Sequence, residues 1–244
     1  MNGIRTFATA GRVLRQLGHD PRSIALMLIA PSLLVGLFAW LFSEQPGVFD
    51  QFGGAILALF PFVIMFLITS ITTLRERRSG TLERLMTTPL RKADFILGYG
   101  IAFGLMASLQ AVVTVTFAVF VCGLEIDGPI WQLGLVAVVD AILGTALGLL
   151  ASAFAHTEFQ AVQFMPLIVF PQIILGGVFM PRDQMPPALE AISNFLPLSY
   201  AIDAVNAVTA GETGWDVSGP LLVVAAFAVG ALILASLTLR RRTS

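Results

Sequence analysis

An all-α integral membrane protein is the fold class this sequence predicts, and three observations predict it. The 244 residues are 57% hydrophobic and only 12% charged, with a mean hydropathy of +0.87, whereas a soluble domain carries about 25% charged residues. Six apolar stretches reach the roughly 20 residues that a helix needs to cross a hydrocarbon core about 30 Å thick. The basic residues fall almost wholly in alternate connections between those stretches, which sets one orientation.

Residues 1–22 carry Arg5, Arg12, Arg15 and Arg22 and lack a short apolar core with a small-residue cleavage site, so they do not read as a signal peptide. Ile4, Phe7, Ala8, Val13, Leu14 and Leu17 recur among the arginines at helical spacing. That pattern predicts a basic amphipathic helix lying at the membrane surface. Asp20-Pro21 then punctuates the chain.

The spans are expected at 24–42, 53–74, 97–122, 131–154, 161–180 and 220–239. Pro166, Pro171 and Gly176-Gly177 make the fifth the least regular. Prolines are tolerated in spans because neighbouring helices satisfy the carbonyls they free. The N-terminal segment holds four basic residues, the 75–94 insert six and Arg240-Arg241-Arg242 three; the loops at 43–52 and 123–130 hold none. The long segment 181–219 holds Arg182 alone, against Asp183, Glu190, Asp203, Glu212 and Asp216. With 13 of 14 basic residues on one side, both termini and the insert are expected in the cytoplasm. In the segment 181–200, Pro186-Pro187 suits a helix start and Pro197 a stop or kink. Leu189, Ile192, Phe195 and Leu196 share one stripe, which fits either a short amphipathic helix on the outer face or an ordered loop packed on the spans. No repeat or linker divides the chain, so residues 1–244 read as one membrane domain.

The chemistry present is sparse. A Walker A loop needs a lysine after a glycine-rich turn. Here the single lysine, Lys92, sits in P-L-R-K-A-D, so this chain is not itself a P-loop ATPase. His19 and His156 lie near the membrane boundary outside any H-E-x-x-H pattern, and Cys122 is the only cysteine, excluding an intramolecular disulfide or a thiolate cluster. No catalytic, cofactor-binding or metal-binding set is expected, and nothing points to nucleic acid. Asp140 is the one acid inside a span, and intramembrane carboxylates are costly and often functional. It shares a face with Gly144 and Gly148, as in close helix packing, and G100-x-x-x-G104 reads the same way. A structural polar contact, an acid near the outer mouth, and a substrate or cation contact all remain open for Asp140. Phe62, Phe66, Thr69 and Thr73 fall on one face of the second span. Phe159, Gln163, Pro166 and Phe170 fall on one face of the fifth. Such mixed stripes suit either an amphipathic ligand or plain helix packing.

The insert R75-E-R-R-S-G-T-L-E-R-L-M-T-T-P-L-R-K-A-D94 is the most distinctive stretch. Gly80-Thr81-Leu82-Glu83 suits a helix start, with Glu83 near the positive end of the dipole. Leu82, Leu85 and Met86 make an apolar patch, and Thr88-Pro89 suits an N-cap with proline at N1 launching the next span. The expectation is a short cytoplasmic helix tied at both ends to spans, either docking a partner or serving as a positive-inside anchor.

The core of that insert (Gly80, Thr81, Glu83, Leu85, Thr88, Pro89 and Leu90) closely resembles the motif between the second and third spans of type-2 ATP-binding-cassette export permeases. The stretch G176-G-V-F-M-P181 through F195-L-P-L-S-Y200 resembles that family's segment before the last span. The resemblance implies an elbow helix at the N-terminus and a coupling helix within 75–94. Arg77, Arg78, Gly80, Thr81, Glu83, Arg84, Leu85, Thr88 and Pro89 would meet a separate ATPase subunit, which binds ATP and magnesium. It also implies a second permease subunit, the same chain or a related one, and a substrate path along Phe62, Phe66, Thr69, Thr73, Gln163 and Phe170. Met180, Pro181, Leu189, Ile192 and Phe195 would form an outer gate. The implied function is export of drugs, antibiotics or lipids across a bacterial cytoplasmic membrane, closest to the daunorubicin-exporter branch. Polysaccharide or glycolipid export, a stand-alone carrier using Asp140 as its coupling acid, and a scaffold that recruits a cytosolic protein are the alternatives.

Overall fold

A computed structural model describes residues 3–78 and 92–238. Within them the chain is helical, with no strand. The elements are α1 (Gly3–Gly18), α2 (Pro21–Leu41), α3 (Pro46–Arg78), α4 (Lys92–Phe120), α5 (Ile130–Phe154), α6 (Glu158–Leu175), a 3-10 turn (Arg182–Gln184), α7 (Pro187–Ser193), α8 (Pro197–Thr209) and α9 (Trp215–Thr238). Six of these, α2 to α6 and α9, are long and apolar enough to cross a membrane.

Local chemistry explains the boundaries. Asp20 caps α2, its carboxylate accepting from Ser23 N at 3.2 Å and Ser23 Oγ at 2.7 Å, with Pro21 opening the helix. Those Ser23 hydrogen bonds hold the Asp20 carboxyl below its usual range. Thr157 caps α6 by accepting from Gln160 N at 3.1 Å. The expected loop at 43–52 is much shorter, because α3 starts at Pro46, a residue type suited to a first helical turn. The fifth span, expected to reach residue 180, stops at Leu175, and Gly177 follows at φ +92, a left-handed conformation that favours glycine.

The helices at the centre are α3 and α5. Their most apolar windows are 72% and 61% buried, against 22%, 17% and 22% for α2, α6 and α9, which form the rim. Two glycines bring the central pair together. A Cβ on Gly148 would lie 2.6 Å from the Phe66 carbonyl oxygen, and one on Gly144 would lie 3.1 Å from Phe62 Cα. The pairs 62/144 and 66/148 advance together, so α3 and α5 run parallel with backbones in direct contact. The G100-x-x-x-G104 pattern does not mark such a crossing, since a Cβ on Gly104 meets nothing nearer than Ile142 Cγ1 at 3.9 Å.

Pro197 does mark a break, but it opens a further element, α8. At 13 residues, α8 extends about 20 Å, too short to cross the bilayer. Nine of its residues are buried, and it sits at the end of the bundle opposite α1, among α3, α5 and α9. Gly54 leaves room for it: a Cβ there would lie 3.0 Å from Val205 Cγ1.

Candidate functional site

The insert enters and leaves the described structure at Arg78 and Lys92, so most of its expected coupling residues (Gly80, Thr81, Glu83, Arg84, Leu85, Thr88 and Pro89) lie outside the described residues. Its two stems are defined. On the entry side, Glu76 is buried and paired with Arg12 of α1. Arg12 Nη2 also donates to Tyr99 Oη on α4 at 3.0 Å, and its guanidinium carbon lies 5.9 Å from the Tyr99 ring centroid. Arg75 makes a two-pronged bond to Glu158 at the start of α6, at 2.9 and 3.0 Å. Arg77 donates to the Ser152 carbonyl near the end of α5. On the exit side, buried Asp94 accepts from Thr6 Oγ1 of α1 at 3.4 Å. A Cβ on Gly98 would lie 2.6 Å from Thr9 Cβ, so α1 crosses α4 closely there.

Helix α1 therefore does more than lie on a surface. Thr6, Thr9, Ala10, Val13 and Leu17 form its inward face, while Ile4 and Phe7 are 82% and 68% exposed. The apolar residues at helical spacing thus divide between two faces, and Arg12 is withdrawn from solvent into a polar junction. That junction ties α1, α3 and α4 together, while Arg75 and Arg77 tie the same stem to α6 and α5. Glu76 is the more deeply buried member of the pair, and a buried carboxylate is costly to desolvate. The exposed Arg75–Glu158 pair is an orienting contact of small stability value. A hint existed in the sequence: an acid flanked by arginines at the end of a long apolar run demands a buried or interfacial cation.

The two stripes expected to line a path are placed differently. Phe62, Phe66, Thr69 and Thr73 lie in the interior on α3, with Phe62 and Phe66 at the α5 crossing. They do not form an open surface of this chain. Their packing follows from the glycines opposite, which let two backbones touch. Gln163 and Phe170 lie on the exposed side of α6 with Phe159 and Pro166. Met180, Pro181, Leu189, Ile192 and Phe195 are likewise exposed, at the end of the bundle opposite α1.

Asp140 is fully buried, and neither carboxylate oxygen has a hydrogen-bond partner among the described residues. The structural polar contact that the sequence left open is not made with any described residue. Nor does it sit at a mouth. It is ten residues into α5 from Ile130, roughly 15 Å along the helix. Gln110 on the neighbouring α4 is also buried with both amide atoms unpartnered.

The hairpin α6–α7–α8 is locked by bonds the sequence did not disclose. Gln172 Oε1 accepts from Leu198 N at 3.1 Å, satisfying a buried amide at the start of α8. Ser193 Oγ donates to the Leu175 carbonyl at 2.6 Å, and Tyr200 Oη donates to the Asn194 carbonyl at 3.0 Å. Arg182 pairs with Asp203, donates to Asn194 Oδ1 at 3.2 Å and lies 4.4 Å over the Tyr200 ring. Burial pushes the Asp203 carboxyl up, and the Arg182 guanidinium opposes that shift.

Comparison with known proteins gives these features a family. A profile described as ABC-2 type transporter matches residues 5–209. The chain is 26% identical over 196 residues to ABC transporter G family member 20 of Dictyostelium discoideum, covering 79% of this chain and 27% of that protein. It is 23% identical over 176 residues to the probable multidrug ABC transporter permease YbhR of Escherichia coli K12 (70% and 48%). It is 25% identical over 158 residues to the linearmycin resistance permease protein LnrN of Bacillus subtilis 168 (64% and 41%). The chain thus spans about half or less of the length of these curated relatives. With six apolar helices and a family match over most of its length, this multi-pass membrane protein belongs to the ABC-2 type transporter permease family.

Proposed function

We propose that the chain is the membrane subunit of an ATP-driven exporter of hydrophobic or amphipathic small molecules, working beside a separate ATPase subunit that binds ATP and magnesium. The observation that carries this reading is the junction at the stems of the 79–91 segment. Arg12, Glu76, Tyr99, Thr6 and Asp94 fasten both stems to α1, while Arg75 and Arg77 reach α6 and α5. A load applied to the segment by a docked ATPase passes into five helices at once: α3 and α4, which carry the stems, and α1, α5 and α6, which are tied to them. Membership of the ABC-2 family supports the ATPase partner, and the names of YbhR and LnrN support drugs or antibiotics as the cargo class.

In this reading both termini and the 79–91 segment face the cytoplasm, as the placement of 13 of 14 basic residues favours. The exposed α6 face with Gln163 and Phe170 meets a second permease subunit and borders the substrate path. Met180, Pro181, Leu189, Ile192 and Phe195 gate its outer end. The deciding experiment is an affinity pull-down from mild detergent, wild type beside Glu83→Arg, with mass spectrometry of the co-purifying chains. A P-loop ATPase recovered with the wild type and lost on charge reversal is the expected result; purification of the chain without any ATPase overturns the reading. A second reading, a proton-coupled carrier, rests on one observation, the buried and unpartnered Asp140.

A further inference from the structure

At the end of the bundle opposite α1, a cleft of about 700 Å³ opens between α8 and the first turns of α9. It is shallow and largely open to its surroundings. Its walls combine three chemistries. Tyr200 and Trp215 supply aromatic faces, Pro220 and Val223 an apolar floor, and Asp203, Glu212 and Asp216 three carboxylates. The indole packs closely over a glycine: a Cβ on Gly219 would lie 3.2 Å from Trp215 Cε2 and Nε1.

The charge of the cleft is the deciding feature. Its only cation, Arg182, is already taken up by Asp203, Asn194 and the Tyr200 ring. Arg182 is also the only basic residue in the whole segment 181–219. Glu212 and Asp216 are exposed and have no ion-pair partner among the described residues. A cleft that is aromatic, apolar at one side and two negative charges in excess is complementary to a cation carried on an apolar body, and aromatic faces bind soft organic cations well. Trp40, Trp131 and Trp215 all lie at this end of the bundle, where tryptophans sit at a membrane–water boundary.

We propose that this cleft is a binding site for amphipathic organic cations, with the charge held between Glu212 and Asp216 and the apolar body against Trp215, Tyr200 and Val223. The cation is either a free amphiphile or the quaternary ammonium of a lipid headgroup. The site needs no ATPase and stands apart from the exporter reading.

The test uses the full chain in uncharged maltoside micelles, with Trp40 and Trp131 changed to Phe so that fluorescence reports Trp215. Tetraphenylphosphonium is the probe, and tetraphenylborate is the control of nearly the same shape and opposite charge. Saturable quenching by the cation alone is expected, weakened on the order of tenfold by Glu212→Gln with Asp216→Asn. Both positions are exposed, and a melting curve shows whether that variant keeps its fold. Trp215→Phe, followed by equilibrium dialysis of the cation, gives a second and independent loss of affinity. Competition by a short-chain phosphatidylcholine assigns the site to a lipid headgroup; its absence assigns it to free amphiphiles, and either supports the proposal. Non-saturable quenching, equal binding of tetraphenylborate, or affinity unchanged in the charge-neutral variant overturns it. Pull-down of an ATPase has no bearing on these outcomes, so failure of the cleft and failure of the exporter reading are distinguishable.

Discussion

Adding one methyl group at Gly148 tests the architecture most directly. In Gly148→Ala the new Cβ would fall 2.6 Å from the Phe66 carbonyl oxygen, 3.1 Å from Thr69 Cβ and 3.2 Å from Phe66 Cα. Two of those atoms are backbone, so no rotamer change relieves them. Restoring an ordinary separation of 3.4 Å requires α3 and α5 to part locally by about 0.8 Å, the difference between 3.4 and 2.6. Overpacking of this kind costs roughly 1–3 kcal/mol, and the helix-propensity gain from glycine to alanine offsets up to about 1 kcal/mol of it. A net loss near 1–2 kcal/mol lowers the melting temperature by roughly 2–8 °C in a chain of this size. Gly104→Ala is the matched control: its nearest neighbour is 3.9 Å away, so it keeps the propensity gain without the clash. Thermal unfolding of the purified protein, followed by tryptophan fluorescence, distinguishes the two. If Gly148→Ala melts at or above the wild type, or both variants fall equally, the backbone-to-backbone crossing of α3 and α5 is wrong.

Two further outcomes bear on the polar groups. Arg12→Ala removes the cation paired with the buried Glu76 and is expected to lower the melting temperature, whereas Arg12→Ala with Glu76→Gln recovers part of that loss; equal melting temperatures for the single and double variants would show that the pair is not coupled. Asp140→Asn keeps the shape of a side chain that makes no described hydrogen bond, so ATP-dependent export from vesicles should persist near the wild-type rate; complete loss of flux with intact ATPase binding would move Asp140 to the centre of the mechanism.

How much was legible in the sequence can be argued residue by residue. The spans announced themselves because hydrocarbon imposes a length and an apolar content on every crossing helix, and Asp20 and Pro187 carry boundary chemistry that acts locally. The family was legible because the Gly80–Leu90 motif is contiguous in the chain. Helix α8 was not. Its 13 residues are too few to span, and it is helical because α3, α5 and α9 enclose it and Gln172, 26 residues earlier, satisfies the Leu198 amide.

The same division holds for the candidate sites. Which glycines mediate a crossing depends on what stands opposite, so 144/148 and 100/104 look alike in one dimension and differ by more than an ångström of clearance in three. Phe62 and Phe66 share a stripe with Thr69 in either case; only the partner helix turns that stripe into an interior seam. The sequence alone determined the membrane environment and the six apolar spans, because these follow from composition and local order. Tertiary structure alone decided that Arg12 meets Glu76 and Tyr99, that Asp140 has no hydrogen-bond partner among the described residues, and that Glu212, Asp216 and Trp215 face one cleft. Those outcomes require residues distant in sequence to share a volume, and no local pattern encodes which of the available helices supplies the opposite wall.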